Sequence, residues 1–300
     1  MPTRFQIAKK DILSLLDGSE RHVFSFKELA EILKKNRSGW RLPQTMTVRA
    51  FIGELAKPRL LHMIEIVFDQ RTEVRYVWRQ ASPYAIGLSL GKTAYLCYFT
   101  ALAIHDLTRE SPKTIYLNIE QSPKPPARGK LEQTAINRAF ADKQRRSELL
   151  GNFGDSRYCI VSGKSTGQLG VQPILWAPGK DTASETLRVT GIERTLIDIA
   201  VRPGYAGGPN VVLEAYRRAA DLVNVNQLRA TLHQLNYTYP YHQAIGFYLE
   251  RSGKYSNTLL RIFEEMPREF EFFLDYGMRS TVFDSKWRVH FPAGMDLEGE

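Results

Sequence analysis

The chain has 300 residues, of which 43% are hydrophobic, so it is long enough for two cores and too apolar for a disordered tail. Its net charge of +9 at pH 7 favours an acidic partner, nucleic acid or an anionic surface. Cys97 and Cys159 stand alone in separate segments, the first residues hold no apolar signal region, and the longest apolar-leaning run, Ala94–Ile104, is too short for a bilayer. Disulfide frameworks and membrane spans are thereby excluded, and the expected compartment is the cytoplasm.

Positive charge is concentrated early: residues 1–80 carry fifteen Lys and Arg against nine Asp and Glu. Phe5, Ala8, Ile12, Leu15 and Leu16 form one stripe and predict a helix over Thr3–Leu16, ended by Asp17-Gly18-Ser19. Ser25 and Glu28 have the spacing of a capping box, with Phe24 and Leu29 placed as a hydrophobic staple. The helix they open turns Leu29, Ile32 and Leu33 inward and runs to Lys35-Asn36. A basic, breaker-rich turn from Arg37 to Pro43 follows. Val48, Phe51, Ile52 and Leu55 then recur at i, i+3, i+4 and i+7, a third helix capped by Thr45 or Thr47 and stopped by Pro58. Its other face carries Gln44, Arg49, Gly53, Glu54 and Lys57. The period then falls to two. Ile64, Ile66 and Phe68, and after the polar tip Asp69-Gln70-Arg71-Thr72 the residues Val74, Tyr76 and Trp78, predict a β-hairpin. Helix, helix, turn, helix, hairpin is the order of a winged helix-turn-helix, whose third helix enters the major groove while the hairpin tip rides the backbone or minor groove.

Gln80-Ala81-Ser82-Pro83 reads as a junction. The expected fold class is α+β: a winged helix-turn-helix over 1–82 and a larger mixed α/β domain over 83–300. Within the latter the patterns predict a helix over Lys92–Leu107, a strand over Thr114–Ile119 and a basic, proline-rich loop around 123–130. A polar helix over Leu131–Leu150 and strands over Tyr158–Val161 and Val171–Trp176 come next. Thr190 and Glu193 have capping-box spacing before a helix through Leu196, Ile197, Ile199 and Ala200, which Arg202-Pro203-Gly204 stops. Further helices are expected over Val211–Ala220, Val225–Leu235, Tyr241–Arg251 and Asn257–Glu265, and closing strands over Glu269–Asp275 and Val282–Phe291. No internal repeat is present.

Two stretches carry a resemblance. One runs Tyr98-Phe99-Thr100-Ala101-Leu102-Ala103-Ile104-His105-Asp106-Leu107-Thr108 and continues in Pro112-Lys113-Thr114-Ile115-Tyr116. The other, more specific, runs Val189-Thr190-Gly191-Ile192-Glu193-Arg194-Thr195-Leu196-Ile197-Asp198, followed by Arg202-Pro203 and Ala206-Gly207-Gly208. Together they resemble the AbiEi family, the antitoxins of bacterial abortive-infection toxin–antitoxin pairs. The resemblance implies an N-terminal DNA-binding domain that represses its own operon at inverted repeats. It also implies a C-terminal domain that counteracts a co-encoded nucleotidyltransferase-like toxin, a type IV arrangement that does not require a stable toxin complex. It carries over no catalytic residue.

The candidate DNA-contacting residues are Arg37, Arg41, Gln44, Thr45, Thr47, Arg49, Lys57 and Arg71, with Arg75 near Arg71 on the hairpin. Arg49, facing outward early on the third helix, suits a bidentate contact to guanine; Arg41, Thr45, Thr47 and Arg71 suit phosphates. Trp40 is expected to pack beneath the turn. A palindromic operator implies two protomers on double-stranded DNA. A second basic zone, Lys124, Arg128, Lys130, Arg138, Lys143, Arg145 and Arg146, reads first as a solvated face and second as extra nucleic-acid contact. The runs Gly87–Thr93 and Gly163-Lys164-Ser165 miss the phosphate-loop spacing and read as turns. Asp275, Asp284 and Lys286 match the short pattern of metal-dependent nucleases, so the alternative function is a DNA nuclease with a winged-helix targeting domain. A ligand-sensing repressor is a further alternative. The histidines are scattered and no cofactor motif is present, so a non-enzyme without cofactor or metal is expected.

Overall fold

The computed structural model describes residues 2–125, 129–177 and 184–297. The chain divides into two compact units, the first made of Met1–Ala94, Leu149–Cys159 and Pro173–Arg188, the second of Tyr95–Glu148, Ile160–Gln172 and Val189–Glu300. It is a mixed α and β protein, and among the described residues no helix is long and apolar enough to cross a membrane.

The first unit begins with α1 (Arg4–Asp17), β1 (Val23–Phe24), α2 (Phe26–Asn36) and α3 (Val48–Ala56), then β2 (Leu61–Phe68) and β3 (Thr72–Trp78). The local signals act as expected. The Ser25 hydroxyl accepts from the Glu28 N–H at 3.2 Å, and the Glu28 carboxylate accepts from the Ser25 N–H at 2.7 Å. Thr3 and Gln6 close a second capping box on α1. Thr47, rather than Thr45, caps α3 by accepting from Ala50 N–H at 3.1 Å. Each motif satisfies helix-end N–H groups that would otherwise lack partners. One apolar core joins Phe5, Ile12, Leu16, Leu29, Leu33, Phe51, Leu55 and Trp78 from these elements. Leu15, expected on the α1 stripe, is instead exposed.

In this unit β3 lies between β1 and β2, antiparallel to both, and β2 continues to β6 (Leu150–Phe153) and β7 (Ser156–Val161). The hairpin formed, but not with the expected alternation: Val74 is exposed while Arg75 and Val77 are buried. Successive strand residues point to opposite faces, and both faces are covered near the end of β3: Trp78 packs in the helix core, and Val77 beside it is buried too. Ser82 caps α4 (Pro83–Leu88), with Pro83 in its first turn.

The second unit opens where a helix over Lys92–Leu107 was expected. Tyr95–Leu96 is instead β4, and only Tyr98–Ile104 is helical, as α5. β4 pairs antiparallel with β5 (Thr114–Asn118) and parallel with the end of β9 (Glu185–Thr190) through Leu96 and Val189. A continuous apolar run has no period that separates buried strand from buried helix. The polar helix expected over Leu131–Leu150 is shorter, α6 (Gln133–Ala141). α7 (Ile192–Val201) starts at Gly191 without a side-chain cap. The second capping box does not form, because Thr190 Oγ1 lies 2.8 Å from Thr195 Oγ1 and Glu193 accepts from the Asn224 N–H at 2.9 Å. A 3-10 turn at Pro203–Tyr205 and left-handed Gly207 and Gly208 lead into α8 (Pro209–Arg218). α9 (Val225–Leu235), α10 (Tyr241–Arg251) and α11 (Asn257–Glu264) follow as the periodicity indicates. The closing strands are shorter than expected: β10 is Phe272–Phe273, and Val282–Phe291 is not one strand but parts of β11 (Thr281–Asp284) and β12 (Val289–Pro292), paired antiparallel. The remaining strand, β8, spans Val171–Trp176.

Candidate nucleic-acid interface

The basic residues of the first unit sit on a surface whose reverse is the apolar core. α3 buries Phe51 and Leu55 completely and keeps Val48 and Ile52 partly covered against the same cluster. Its opposite face therefore points outward. Arg41, Gln44, Thr45, Thr47 and Arg49 are all exposed. Gly53 is exposed as well, and a Cβ there would meet no atom within 4 Å. Trp40 is buried and stacks on Phe51, with ring centroids 5.9 Å apart, so it packs beneath the turn as expected.

The turn before α3 is held by a side-chain clamp. Arg37 Nη1 donates to the carbonyls of Pro43 at 2.6 Å and Gln44 at 3.3 Å. Two carbonyls thus occupy a guanidinium expected to face DNA, and Arg37 holds the turn in place. Arg41 sits at a φ of 52° beside it, with its N–H donating to Ser38. Lys57 is engaged by the Glu54 carboxylate on its own helix.

On the hairpin, Arg71 is exposed at the tip, pairs with Glu73 at 3.0 Å and lies 5.4 Å from the Phe68 ring centroid. Arg75 departs from the expected set. It is buried, donating to Glu73 at 3.0 Å and to the carbonyls of Val74 at 2.8 Å and Ser89 at 3.2 Å. Period-two reasoning placed it outward; the closure of β3 against the 82–89 segment turned it inward. The outward set gains Lys34 and Lys35 from the last turn of α2, exposed positions that sequence reasoning did not single out. Their only prior signal was a charge pair at a helix C-terminus, which ordinarily marks favourable interaction with the helix dipole.

Asp17 at the end of α1 ties that helix to the end of β3, accepting from Trp78 Nε1 at 2.8 Å and from Arg79 at 2.6 and 2.9 Å. The Arg79 hydrogen bond is the main reason the Asp17 carboxyl lies below its ordinary value.

In the second unit, Lys124, Lys130, Arg138, Lys143, Arg145 and Arg146 are exposed, the arrangement of a solvated face. Arg128 lies outside the described residues. The nuclease pattern does not assemble. Asp284 accepts from Arg251 at 2.5 Å and from the Trp287 N–H at 2.9 Å. Lys286 is held by Glu250 and Glu264, and Asp275 accepts from its neighbour's N–H at 2.8 Å. Among the described residues no group of three or more His, Cys, Asp and Glu side chains is placed to hold a metal ion. Gly163-Lys164-Ser165 forms no phosphate loop; Lys164 instead donates to the carbonyls of Leu235 and Asn236.

No family model matches the chain, and no curated protein matches it. Among solved structures it is similar to the RV2827C protein from Mycobacterium tuberculosis, with a TM-score of 0.53 and 13% identity, over 97% of this chain and 92% of that one. At that identity the likeness bears on the fold alone.

Proposed function

We propose that the first unit is a winged helix-turn-helix that reads double-stranded DNA, and that the protein is a transcriptional repressor. The observation that carries this reading is the order α1-β1-α2-α3-β2-β3 with β3 between β1 and β2, together with a third helix whose back is core and whose exposed face carries Arg49 and Gly53, preceded by a turn that exposes Gln44 and Thr45. In this reading α3 enters the major groove and Arg49 contacts a base edge. Arg41, Thr45 and Arg71 meet phosphates, which fix register without reading sequence. Thr47 is committed to its cap and Arg37 to its turn, so both position the reading helix rather than touch bases. Two protomers on an inverted repeat would place two such helices in successive major grooves.

The AbiEi-like motifs support a finer proposal: the protein represses its own operon in the cytoplasm, and its second unit counteracts a co-encoded nucleotidyltransferase-like toxin. A gel shift with the purified protein on its own upstream DNA and on random DNA, at low and high salt, tests the DNA-reading half. Retained preference for the upstream DNA at high salt is expected. Equal binding to both DNAs that vanishes with salt would reduce the +9 charge to a non-specific phosphate attraction. Co-expression with the adjacent gene tests the antitoxin half: growth arrest by that gene alone, relieved by this protein, is expected.

A further inference from the structure

The second unit contains a cleft of about 700 Å³ that DNA reading does not use. The AbiEi-like motif builds one wall of it: Arg194 and Asp198 project from α7 and Arg202 from its end. Tyr98 at the start of α5, Tyr237 and Tyr239 before α10, and Tyr276 complete it. That volume is in the range of sites for small organic ligands.

The walls are braced by a continuous hydrogen-bond network. Gly163 N–H donates to Asn118 Oδ1 at 2.9 Å, Asn118 Nδ2 to the Tyr95 hydroxyl at 2.6 Å, and Tyr95 to Glu120 at 3.1 Å. Glu120 also accepts from the N–H groups of Thr166 at 2.9 Å and Gln168 at 3.2 Å. Burial alone would raise this carboxyl, but the hydrogen bonds, those from Thr166 first, hold it below its ordinary value. Gly163 must be glycine for this close approach, since a Cβ would lie 2.8 Å from the Asn118 amide. Lys164 donates to the carbonyls of Leu235 at 2.9 Å and Asn236 at 2.7 Å and lies 5.4 Å from the Tyr237 ring centroid. It pins the loop that carries Tyr237 and keeps one ammonium donor to spare.

The cleft is positive and aromatic. Lys124, Lys164, Arg194 and Arg202 line it against a single described carboxylate, Asp198, which Arg194 already neutralises. Arg202 makes one bond, to the Arg145 carbonyl at 3.2 Å, against the larger sets held by Arg194 and Lys164. Its field reaches Tyr98, Tyr237, Tyr241 and Tyr276, whose hydroxyls burial raises above their ordinary value while Arg202 pulls them back. These phenols stay protonated and can donate. Tyr98 holds a φ of 51°, a left-handed backbone that is costly for an aromatic residue and persists only where its surroundings enforce it.

Cations set among tyrosine rings recognise a ligand that is both anionic and planar. We propose that this cleft binds a mononucleotide, its phosphates on Arg202 and the free donor of Lys164 and its base against the tyrosine rings. Neither half of the ligand suffices: a sugar or peptide leaves the cations unused, and inorganic phosphate leaves the rings unused.

Calorimetric titration of the full-length protein with ATP, GTP, CTP and UTP, and with adenosine and inorganic triphosphate as halves of the ligand, tests this. At least one nucleotide is expected to bind and to raise the melting temperature, with adenosine and triphosphate each at least about tenfold weaker. Arg202→Gln and Tyr239→Ala should each weaken that nucleotide about tenfold, and Arg202→Gln should leave the unliganded melting temperature unchanged. Arg49→Ala should leave it unchanged, which separates this cleft from the DNA-reading face. The proposal is overturned if no nucleotide binds at millimolar concentration, if inorganic triphosphate binds as tightly as the nucleotide, or if Arg202→Gln and Tyr239→Ala both bind as the parent does.

Discussion

Arg194 Nε donates to Asp198 Oδ1 across 2.8 Å, one turn apart on α7, and both side chains are almost wholly enclosed at 3% and 5% exposure. Burial opposes charge on each. On Arg194 the Asp198 carboxylate outweighs that penalty and holds the guanidinium above its ordinary value, whereas the Asp198 carboxyl stays raised by burial despite Arg194. The guanidinium is further tied to the Leu169 carbonyl at 2.5 Å, and Gly170 leaves room for its stem. Arg194→Ala leaves a carboxylate buried without its partner, and a loss of roughly 3–5 kcal/mol in unfolding free energy is expected. Arg194→Met with Asp198→Leu removes both charges and should restore most of it. Denaturant titration of the three proteins decides this; a single-variant loss below about 1 kcal/mol would mean that water reaches the pair.

In the proposed DNA-reading role, sequence preference rests on Arg49. Arg49→Ala should cost roughly 1–3 kcal/mol on the preferred site and relax preference at one base pair. Arg41→Ala should weaken all sequences alike and lower the slope of log affinity against log salt by about 1. Competition shifts across a salt series measure both. An Arg49→Ala protein with unaltered preference would remove α3 from the groove.

Gly53 interrupts α3 on its exposed front, with no neighbouring atom for a Cβ to strike. Gly53→Ala should therefore raise unfolding free energy by about 0.5–1 kcal/mol, the gain of an ordinary helix residue over glycine. On DNA the added methyl enters the docking face, so affinity should fall as stability rises. Stability gained with affinity intact would place the DNA elsewhere.

Two histidines make the second unit sensitive to mild acid. His105 Nε2 donates to the Thr190 carbonyl at 2.7 Å, and His242 Nε2 to the Pro267 carbonyl at 2.7 Å. Burial lowers both below the ordinary histidine value of 6.5. The unfolded chain then binds protons that the folded one refuses, so the stability these two histidines control is complete above pH 6.5 and declines as the pH falls through that value, while Asp198 and Asp275, raised by burial, act in the opposite sense. The slope per histidine is at most about 1.4 kcal/mol per pH unit. Glu120 and Asp17, held below their ordinary values, add their own loss only at lower pH, beneath about 4.5. His105→Gln keeps a donor for Thr190 without a titrating group. Melting curves at pH 8, 6.5 and 5.5 should show a smaller decline in this variant, and an equal decline would assign the acid sensitivity elsewhere.

Much of the first unit was legible because its signals are local. Ser25 and Glu28 meet within one helical turn, and Phe51 and Leu55 face the same way whatever surrounds them. The outward position of Arg49 follows from the same geometry, while Arg41 and Gln44 are exposed in the turn before α3. Arg75 was not legible: alternation along β3 set it outward, and the strand's neighbours reversed it. Tyr95–Leu96 was misplaced in a helix for a related reason, since its strand pairing reaches to Leu117 and Val189, far along the chain. The cleft was least legible of all. Arg194 with Arg202, Lys164, Tyr98 and Tyr276 come from four separate stretches, and no spacing rule links them.

By itself, then, the sequence determined what depends on contacts a few residues apart: helix caps, the core stripe of α3, the turn at Asp69–Arg71, the surplus of positive charge. The tertiary structure decided what depends on groups that only chain closure brings together. It chose which face of β3 is buried, joined Arg194 to the Leu169 carbonyl rather than to solvent, and gathered tyrosines and cations around one cleft. The physical reason is distance along the chain. A capping hydrogen bond constrains one turn, whereas a strand partner or the lining of a cleft is specified only when distant segments have closed around a core that excludes water.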